Sequence, residues 1–475
     1  MSNESTDNGV TATNKSVPAT ANSGAIATMG LELQEGRTIP RKQVISWALW
    51  DWANQPFNTV ILTFIFTALY LTTDVFIDPS IAALGKHDPA YIHAIAELTS
   101  GLGLANTIAG ILVALVAPIL GQRSDGTGKR KRALAISTGL VVLSMAALFF
   151  VQGAPAYFAL GVGLVAVGSV FSEIAGVHYN AMLVQVSTPK TVGKISGLGW
   201  GLGYLGGILA LVIVVIAYVS DWFGLSQENG LPFRMVALGC AVWTILFSIP
   251  IFRNVPELPT TEQGERVNFF QSYVLLVRHI VRLWKTTRTT FWFLLASAVF
   301  RDGLAGVFAY GAVIASTVFG FGFLQVVIFG IAANLVAGVS TIFSGRFDDR
   351  FGPKSVIVTS LIGLVITGFA IFMLRGLGDT TFWIGGLLLC LFVGPAQAAS
   401  RSFLARVTPA GREGEIFGLY ATTGRAASFL SPALWTILIV AFGATAWGIL
   451  GIVAVLLAGL IMMLFVRPTG GNARG

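Results

Sequence analysis

The feature that most constrains this chain is a succession of apolar blocks of about 20 residues, separated by short charged or Gly- and Pro-containing breaks. A helix of this length spans the hydrocarbon core of a bilayer. Only 11% of the residues are charged, against roughly 25% in a typical soluble domain. Because the chain cannot cover a water-facing surface with polar groups, we expect an all-α membrane protein and exclude a soluble enzyme.

Twelve such spans can be counted in the sequence. The breaks after the even-numbered spans are rich in Lys and Arg, whereas the break after the first span contains Asp74, Asp78 and Asp88. Because Lys and Arg accumulate in cytoplasmic loops, we expect the even-numbered loops and both termini to be cytoplasmic. The spans cover residues 45–71, 92–120, 133–151, 156–184, 193–219, 231–251, 290–317, 321–344, 354–374, 381–405, 414–442 and 444–466.

The longest internal break divides the spans into two sets of six. This break contains apolar residues at helical spacing, with Arg278, Arg282 and Lys285 on the opposite face. The pattern predicts an amphipathic helix on the inner leaflet, and a solvated linker helix is the alternative. The start of the chain is rich in Ser, Thr, Asn and Ala, which is typical of disorder. The expected regions are a disordered cytoplasmic tail (1–43), an N-terminal half (44–251), the linker (252–289), a C-terminal half (290–466) and a short cytoplasmic tail (467–475).

The two halves repeat each other in sequence. Residues 183–203 match residues 404–424 at a constant offset, and Gly193 and Gly414 are one of the identical pairs. Each half holds an even number of spans, so the repeats have the same orientation. Parallel repeats of this kind are typical of secondary transporters, in which the binding site lies between the halves near the midplane.

The loop after the second span of each half also recurs: residues 121–132 read GQRSDGTGKRKR and residues 345–354 read GRFDDRFGPK. Glycine permits a tight turn at a helix end, and an aspartate there can meet a helix N-terminus or an arginine. The loop resembles the signature loop of the major facilitator superfamily. The resemblance implies a cytoplasmic charge latch that is made and broken as the halves rock. The expected latch residues are Gly121, Arg123, Asp125, Gly128 and Arg130 in the first copy, and Gly345, Asp349, Arg350 and Gly352 in the second.

Four further segments carry a narrower resemblance, which extends over most of the chain from about residue 44 to 466. They read WALWDWANQPF at 47–57, FRDGLAGVF at 300–308, GPAQAASRSF at 394–403 and GREGEIFGLY at 411–420. Together they look like the vacuolar amino-acid effluxer branch of the superfamily. The fungal members of this branch are tied to autophagy, and its bacterial members mostly lack an assigned substrate. The resemblance implies transport of an amino acid.

Ionisable and amide side chains inside membrane spans are costly and are therefore functional candidates. They concentrate in spans 1, 4, 7 and 10, which in the superfamily line the central cavity, and in span 11. Acids and arginines there could neutralise one another, or could bind the ammonium and carboxylate of a zwitterion. The candidate residues for a substrate or proton site are Asp51, Asn54, Asn58, Glu173, Asn180, Arg301, Asp302, Gln397, Arg401 and Arg425.

We expect proton coupling through Asp51, Glu173 or Asp302. Asp51 is the first candidate because Trp50 and Trp52 flank it in an apolar span, and apolar surroundings favour a neutral carboxyl group. A structural ion pair is the alternative, above all for Asp51, which lies close to the cytoplasmic end of its span.

The sequence does not indicate another kind of site. The segment GLGYLG at 201–206 matches a dinucleotide-binding pattern but lies inside a span with no strand before it. We recognise no phosphate-binding loop, metal-ligand cluster or nucleophile–base pair, so we expect no enzyme activity, no cofactor and no metal. The net charge of +8 resides in the loops and does not indicate a nucleic-acid partner. Cys240 and Cys390 lie in apolar runs and are interpreted as small buried hydrophobic residues.

These patterns predict an all-α major facilitator fold of twelve transmembrane helices in two six-helix halves. We expect a secondary active transporter that moves a small polar solute by alternating access and is coupled to protons. An amino acid is the favoured substrate, and the direction of transport, import or efflux, is left open. The alternatives are a drug or organic-anion exporter of the same fold and a non-transporting receptor or scramblase. We expect a monomer in the lipid bilayer, in the cytoplasmic membrane if the host is bacterial.

Overall fold

The computed structural model describes residues 29–85, 87–257, 269–321 and 323–467. Within these ranges the regular structure is helical, apart from an isolated bridge between Met29 and Pro409. The first part of the expected N-terminal tail (1–28), part of the linker and the last eight residues lie outside the described residues. Disorder was expected as far as residue 43, yet the chain from Met29 onward packs against the helical bundle.

Eleven helices in the described part of the chain are long and apolar enough to cross a membrane, and the first span supplies the twelfth of the fold. The membrane helices are α1 (Arg41–Pro56), α2 (Pro89–Thr127), α3 (Arg130–Ala147), α4 (Phe158–Ala181), α5 (Val192–Val219), α6 (Leu231–Asn254), α7 (Arg288–Thr317), α8 (Phe323–Phe351), α9 (Pro353–Met373), α10 (Asp379–Val407), α11 (Glu413–Ala427 and Leu430–Phe442) and α12 (Trp447–Phe465). The linker helix covers Phe269–Thr286. Short helical pieces lie at Glu32–Gln34, Asp74–Phe76, Pro79–Ala82, Leu148–Phe150, Pro155–Tyr157, Leu183–Val186, Asp221–Gly224, Glu228–Gly230 and Arg375–Leu377.

The first span is helical but interrupted. After Pro56 the chain continues in π-helical turns at Phe57–Phe64 and Thr67–Leu71. Proline has no N–H to donate to the carbonyl four residues earlier, which is that of Trp52. The Trp243 indole of α6 donates to this carbonyl instead, at 3.2 Å. The break in α1 is therefore a proline-initiated change of helix type whose freed backbone group is satisfied by a neighbouring helix.

The two halves pack against each other through two equivalent seams. Helix α5 of the N-terminal half lies against α8 of the C-terminal half, and α2 lies against α11. Since α2 and α8 are the second helices of their halves and α5 and α11 the fifth, the seams follow the internal repeat of the sequence. Within the halves, α1 packs on α5 and α6, while α7 packs on α11 and α12.

Glycines let the backbones approach closely in both seams. A Cβ atom on Gly345 of α8 would lie 2.7 Å from the carbonyl oxygen of Gly193 in α5. In the other seam, a Cβ on Gly121 would overlap the carbonyl group of Gly414. Gly121 and Gly345 therefore lie within helices, where they permit close contact between the halves and do not form the expected turn.

Candidate functional site

The end of the bundle that holds the two repeated loops is closed by interactions between the halves. Both oxygens of the Asp125 carboxylate in α2 accept hydrogen bonds from the first backbone N–H groups of α11, those of Gly414 and Glu415, each at 2.9 Å. Arg130 lies 2.7 Å from Asp125 and also pairs with Glu413. A carboxylate at a helix N-terminus satisfies unpaired N–H groups and meets the positive end of the helix dipole. Asp125 therefore ties one half to the other.

The second copy of the loop makes the equivalent connection. Asp349 of α8 accepts hydrogen bonds from the N–H groups of Gly193 and Lys194 at the start of α5, at 2.7 and 2.8 Å. Arg406 lies 3.1 Å from both Asp348 and Asp349. We call Asp125, Arg130, Glu413, Asp349 and Arg406 the latch, and the end that holds them the latch end.

Not every expected loop residue joins the latch. Gly128 and Gly352 take positive φ values of 66° and 83°, where glycine is favoured, at the junctions that follow α2 and α8. The Arg123 side chain is exposed. The Arg350 guanidinium lies over the ring of Phe351, 5.2 Å from its centroid, and Arg406 pairs with Asp349 in its place.

A second closing layer surrounds Arg401 of α10, about 9 Å along the helix from its latch end. The Arg401 side chain is 3% exposed, and its guanidinium donates to Asp51, at 3.1 Å, and to Asn180, also at 3.1 Å. It also donates to the hydroxyl and the carbonyl of Ser196, at 3.0 and 2.6 Å. Three aromatic rings lie 5.0 to 5.6 Å from it, namely those of Trp47, Tyr179 and Trp200.

We call this arrangement the arginine cage. All of its partners belong to the N-terminal half, whereas Arg401 belongs to the C-terminal half. Tyr179 donates a further hydrogen bond to Asp51 at 3.0 Å, which holds the carboxylate in place. One turn away on α10, Gln397 accepts a hydrogen bond from Tyr204 of α5 at 2.6 Å, so it too joins the halves. Separating the halves would leave a buried cation without its counter-ion, which is costly in a low-dielectric interior.

Farther from the latch end, Glu173 of α4 forms an ion pair with Arg425 of α11. Their side chains are 41% and 38% exposed, although both lie near the middle of long membrane helices. Ionic side chains at such depth face a water-filled space or a protein interior. The exposed fractions therefore indicate an open space between the halves at this level. The space is closed on the latch side by the arginine cage.

Two amides of the first span lie beside this level, Asn54 in α1 and Asn58 in the π-helical turns that follow it. Asn54 is buried, and its Nδ2 donates to the Ser172 hydroxyl at 3.1 Å. Its Oδ1 is buried and has no hydrogen-bond partner within the described part of the chain. Asn58, one turn farther along, is half-buried.

Arg301 of α7 is held differently from the other two arginines. Its guanidinium lies over the ring of Tyr420, 3.7 Å from the centroid, and donates to the Tyr420 carbonyl at 2.9 Å. Among the described residues no carboxylate forms an ion pair with it. A Cβ on Gly424 would lie 3.1 Å from this guanidinium, so Arg301 sits beside the turn of α11 that bears Arg425.

Asp302 is adjacent in sequence to Arg301 but has a different environment. It is buried and accepts a hydrogen bond from the Ser431 N–H at 2.6 Å, while the Ser431 hydroxyl donates to its carbonyl at 3.0 Å. These bonds satisfy the start of the second segment of α11. Asp302 therefore acts as a helix cap across two helices, and it is not part of the charged group around Glu173.

Several residues of the site were not anticipated from the sequence. Ser196, Tyr204 and Tyr179 are neutral and lie in apolar or Gly-rich spans, so they gave no ionisable signal. Glu413 lies in a motif quoted for its family resemblance, and Arg406 lies in the basic break after the tenth span. The recurrence of the acidic loop in both halves was the available signal for a partner at the start of α5 and α11. Within the described residues, no cluster of three His, Cys, Asp or Glu side chains could hold a metal ion.

Comparison with known proteins decides the family. The profile described as "Vacuole effluxer Atg22 like" matches residues 184–473, more than half of the chain. The chain belongs to this family. An uncharacterised MFS-type transporter of Bacillus subtilis, YxiO, is 26% identical over 90% of this chain and 95% of its own length. Autophagy-related protein 22-1 of Sclerotinia sclerotiorum is 29% identical over 60% of this chain, which spans about half (51%) of that fungal protein.

Solved structures confirm the fold of this Atg22-like protein. The proton:xylose symporter XylE superposes with a TM-score of 0.68 over 90% of this chain and 96% of that one, at 14% identity. A bacterial homologue of the iron transporter ferroportin in an outward-facing state gives a TM-score of 0.62 over 89% and 98%. The predicted major facilitator fold and the Atg22-like branch are thus both confirmed. The protein is a multi-pass membrane transporter of the major facilitator superfamily.

Proposed function

We propose that this transporter moves a small zwitterionic solute, with an amino acid as the favoured substrate, through the space between its halves. The Glu173–Arg425 pair supports this most directly, because it presents an acid and a base from opposite halves, at mid-depth and more than a third exposed. A zwitterion could take the place of each partner, with its ammonium on Glu173 and its carboxylate on Arg425 and Arg301. Both new contacts would be charge-assisted hydrogen bonds.

The two closing layers support alternating access as the transport mechanism. With the latch and the arginine cage formed, the space around Glu173 is closed toward the latch end. Rocking of the halves would have to break both layers and close the opposite end. If the latch end is cytoplasmic, as the Lys and Arg distribution predicts, the structure corresponds to an outward-facing state.

The linker helix supports a latch end on the cytoplasmic side, which is the inner side of the plasma membrane if the host is bacterial. Leu276 and Leu283 are buried against the bundle. The adjoining sector exposes Val277, Val281 and Trp284, at 60%, 47% and 41%. The exposed basic residues of this helix follow around the next sector: Arg278, Arg282 and Lys285. A helix with an apolar sector next to a basic one suits the boundary of a leaflet that carries anionic headgroups.

Proton coupling, in our proposal, acts through Asp51. A proton on Asp51 would remove the charge that neutralises Arg401, and breaking a buried pair on one side costs about 3–5 kcal/mol. Protonation would thereby favour release of Arg401 from the cage and opening of the latch end. Glu173 is the second candidate, because substrate and proton could compete for it. The capping role of Asp302 makes it the weakest of the three.

One observation favours a second candidate function. Arg301 has no carboxylate partner within the described residues, so the group formed with Glu173 and Arg425 carries an excess positive charge. An organic anion could bind Arg301 and leave the ion pair intact. The receptor or scramblase alternative is weaker, because two equivalent latches and a cage between the halves serve a rocking motion.

The test is flux into proteoliposomes that hold the full chain and a pH-sensitive dye, with pooled amino acids in one experiment and pooled organic anions in another. Glu173→Gln should reduce amino-acid flux by about ten- to a hundred-fold, since a hydrogen bond to a charged group is worth about 1.5–3 kcal/mol. The matched control is Glu228→Gln at the opposite end, which should leave flux unchanged. Organic-anion flux that survives Glu173→Gln but not Arg301→Gln would support the second candidate. A folded protein without flux from either pool would refute transport of both solute classes.

A further inference from the structure

The chain just before α1 crosses from one half to the other at the latch end. Residues Met29–Arg37, which we call the strap, lead directly into the first helix of the N-terminal half. The Gly30 N–H donates to the carbonyl of Thr408, at 3.0 Å, and Met29 bridges with Pro409. Thr408 and Pro409 belong to the connection between α10 and α11 in the C-terminal half. The strap therefore joins the halves by backbone contacts at the same end as the latch.

The strap is anchored by buried side chains. Leu31 is 2% exposed and belongs to the main hydrophobic cluster of the protein, and Gln34 is 4% exposed. A short 3-10 helix at Glu32–Gln34 turns the chain between these two positions. By contrast, Leu33 points outward, with 53% of its surface exposed. The buried and exposed side chains lie on different faces of the strap, so one face is specifically packed.

The strap also touches the latch itself. Gly30 lies so close to Glu413 that a Cβ atom at position 30 would overlap one carboxylate oxygen of Glu413. The other carboxylate oxygen of Glu413 pairs with Arg130. The strap thus covers the carboxylate that joins Arg130 to the start of α11, and opening of the latch would have to carry Thr408 away from Gly30.

We propose that the strap is a built-in clamp that stabilises the state closed at the latch end, and so sets how often that end opens. The physical reason is that the strap leads into α1 of the N-terminal half but is held by Thr408 and Glu413 of the C-terminal half, with Leu31 buried in this arrangement. Burial of one leucine side chain is enough to change a two-state ratio by about ten-fold or more. This inference rests on the rocking motion of the proposed function but not on the identity of the solute.

The experiment measures the distance between the halves at the latch end without any substrate. Spin labels are placed at Lys190→Cys in the N-terminal half and Ser355→Cys in the C-terminal half, both exposed, in the full chain in lipid nanodiscs. The native cysteines, Cys240 and Cys390, are buried and give little background labelling. The distribution of distances between the two spin labels then reports the fractions of closed and open molecules.

Leu31→Ser should lower the ratio of closed to open molecules by about ten-fold or more. The matched control is Leu33→Ser, the same substitution at the exposed neighbour two residues along, which should leave the ratio unchanged. Gly30→Val is a second variant, because a side chain at position 30 would collide with Glu413 and the substitution removes no buried group. Replacement of residues 29–37 by a Gly/Ser segment of equal length should have the largest effect.

Each outcome decides the proposal. A shift in Leu31→Ser and Gly30→Val, with thermal stability near that of the parent, supports the clamp. Unchanged distance distributions in both variants would overturn it, as would an equal shift in Leu33→Ser. If Leu31→Ser does not fold, Gly30→Val and the Gly/Ser segment still decide. Failure of amino-acid flux in proteoliposomes would contradict the proposed function while leaving this distance measurement valid.

Discussion

Because α2 and α11 are in close contact, replacing glycine by alanine is expected to have opposite effects on the protein at two different positions. Alanine is a better helix former than glycine by about 1 kcal/mol, so Gly→Ala within a helix is expected to be neutral or stabilising where space is free. Gly139 of α3 is such a position, because a Cβ there meets nothing within 4 Å. At Gly121, by contrast, a Cβ would lie 2.5 Å from the carbonyl carbon of Gly414 and 3.1 Å from the backbone nitrogen of Glu415.

The expected magnitude follows from the atoms involved. The neighbours of Gly121 are backbone atoms at the start of α11, which cannot move away as a flexible side chain could. Overpacking of this kind costs about 1–3 kcal/mol, which corresponds to a change of about five-fold to more than a hundred-fold in a two-state ratio. The cost applies only while α2 and α11 are in contact. Gly121→Ala should therefore lower the population closed at the latch end rather than unfold the protein.

The assay is the distance between spin labels at Lys190→Cys and Ser355→Cys described above, together with thermal unfolding in the same nanodiscs. Gly121→Ala should shift the distance distribution toward the open state, whereas Gly139→Ala should leave it unchanged and preserve or raise the unfolding temperature. A distance distribution for Gly121→Ala identical to that of the parent would refute the argument. So would an equal shift for Gly139→Ala, since it would show that the effect does not come from the seam.

Substitutions at four other positions test the remaining structural assignments. Arg401→Gln should reduce flux more than ten-fold, because removing one partner of a buried ion pair costs about 3–5 kcal/mol. Adding Asp51→Asn to this variant should restore part of the lost thermal stability, and a double-mutant cycle measures that coupling. Asp302→Asn should preserve flux and thermal stability, since an amide oxygen still accepts a hydrogen bond from the Ser431 N–H. Asp302→Ala should lower the unfolding free energy by about 1 kcal/mol. An equal loss of stability in both variants would contradict a capping role. Trp243→Phe leaves a backbone carbonyl of α1 unpaired and should lower the unfolding free energy by about 1–3 kcal/mol without changing the closed-to-open ratio.

Much of the architecture could be predicted from the sequence because the relevant signals are local. The length of an apolar block and the excess of Lys and Arg in a loop can be read without knowing what lies next to them. The same holds for the recurrence of the signature loop, which placed Asp125 and Asp349 at equivalent positions. Polar residues in apolar spans were likewise visible one by one, and the structure brings Asp51, Asn180 and Arg401 together.

Pairing could not be read in this way. Nothing local indicates that Arg401 inserts among aromatic rings of the other half, or that Arg301 rests on Tyr420 while its neighbour Asp302 caps a helix. The π turns after Pro56 also depend on a neighbour, since an indole of α6 satisfies the freed carbonyl. Each of these features depends on which surfaces meet when the bundle packs.

The sequence by itself determined that the chain spans a membrane twelve times, in two repeated halves with a carboxylate loop in each. Only the tertiary structure decided what those carboxylates bind, how the halves close on each other, and which charges remain exposed between them. The reason is physical: insertion into a bilayer depends on the composition of each segment, whereas ion pairs, caps and closed seams depend on distances of a few ångströms between segments far apart in the chain. The strap shows the same division, because its composition is typical of a tail and only its contacts identify it as part of the latch end.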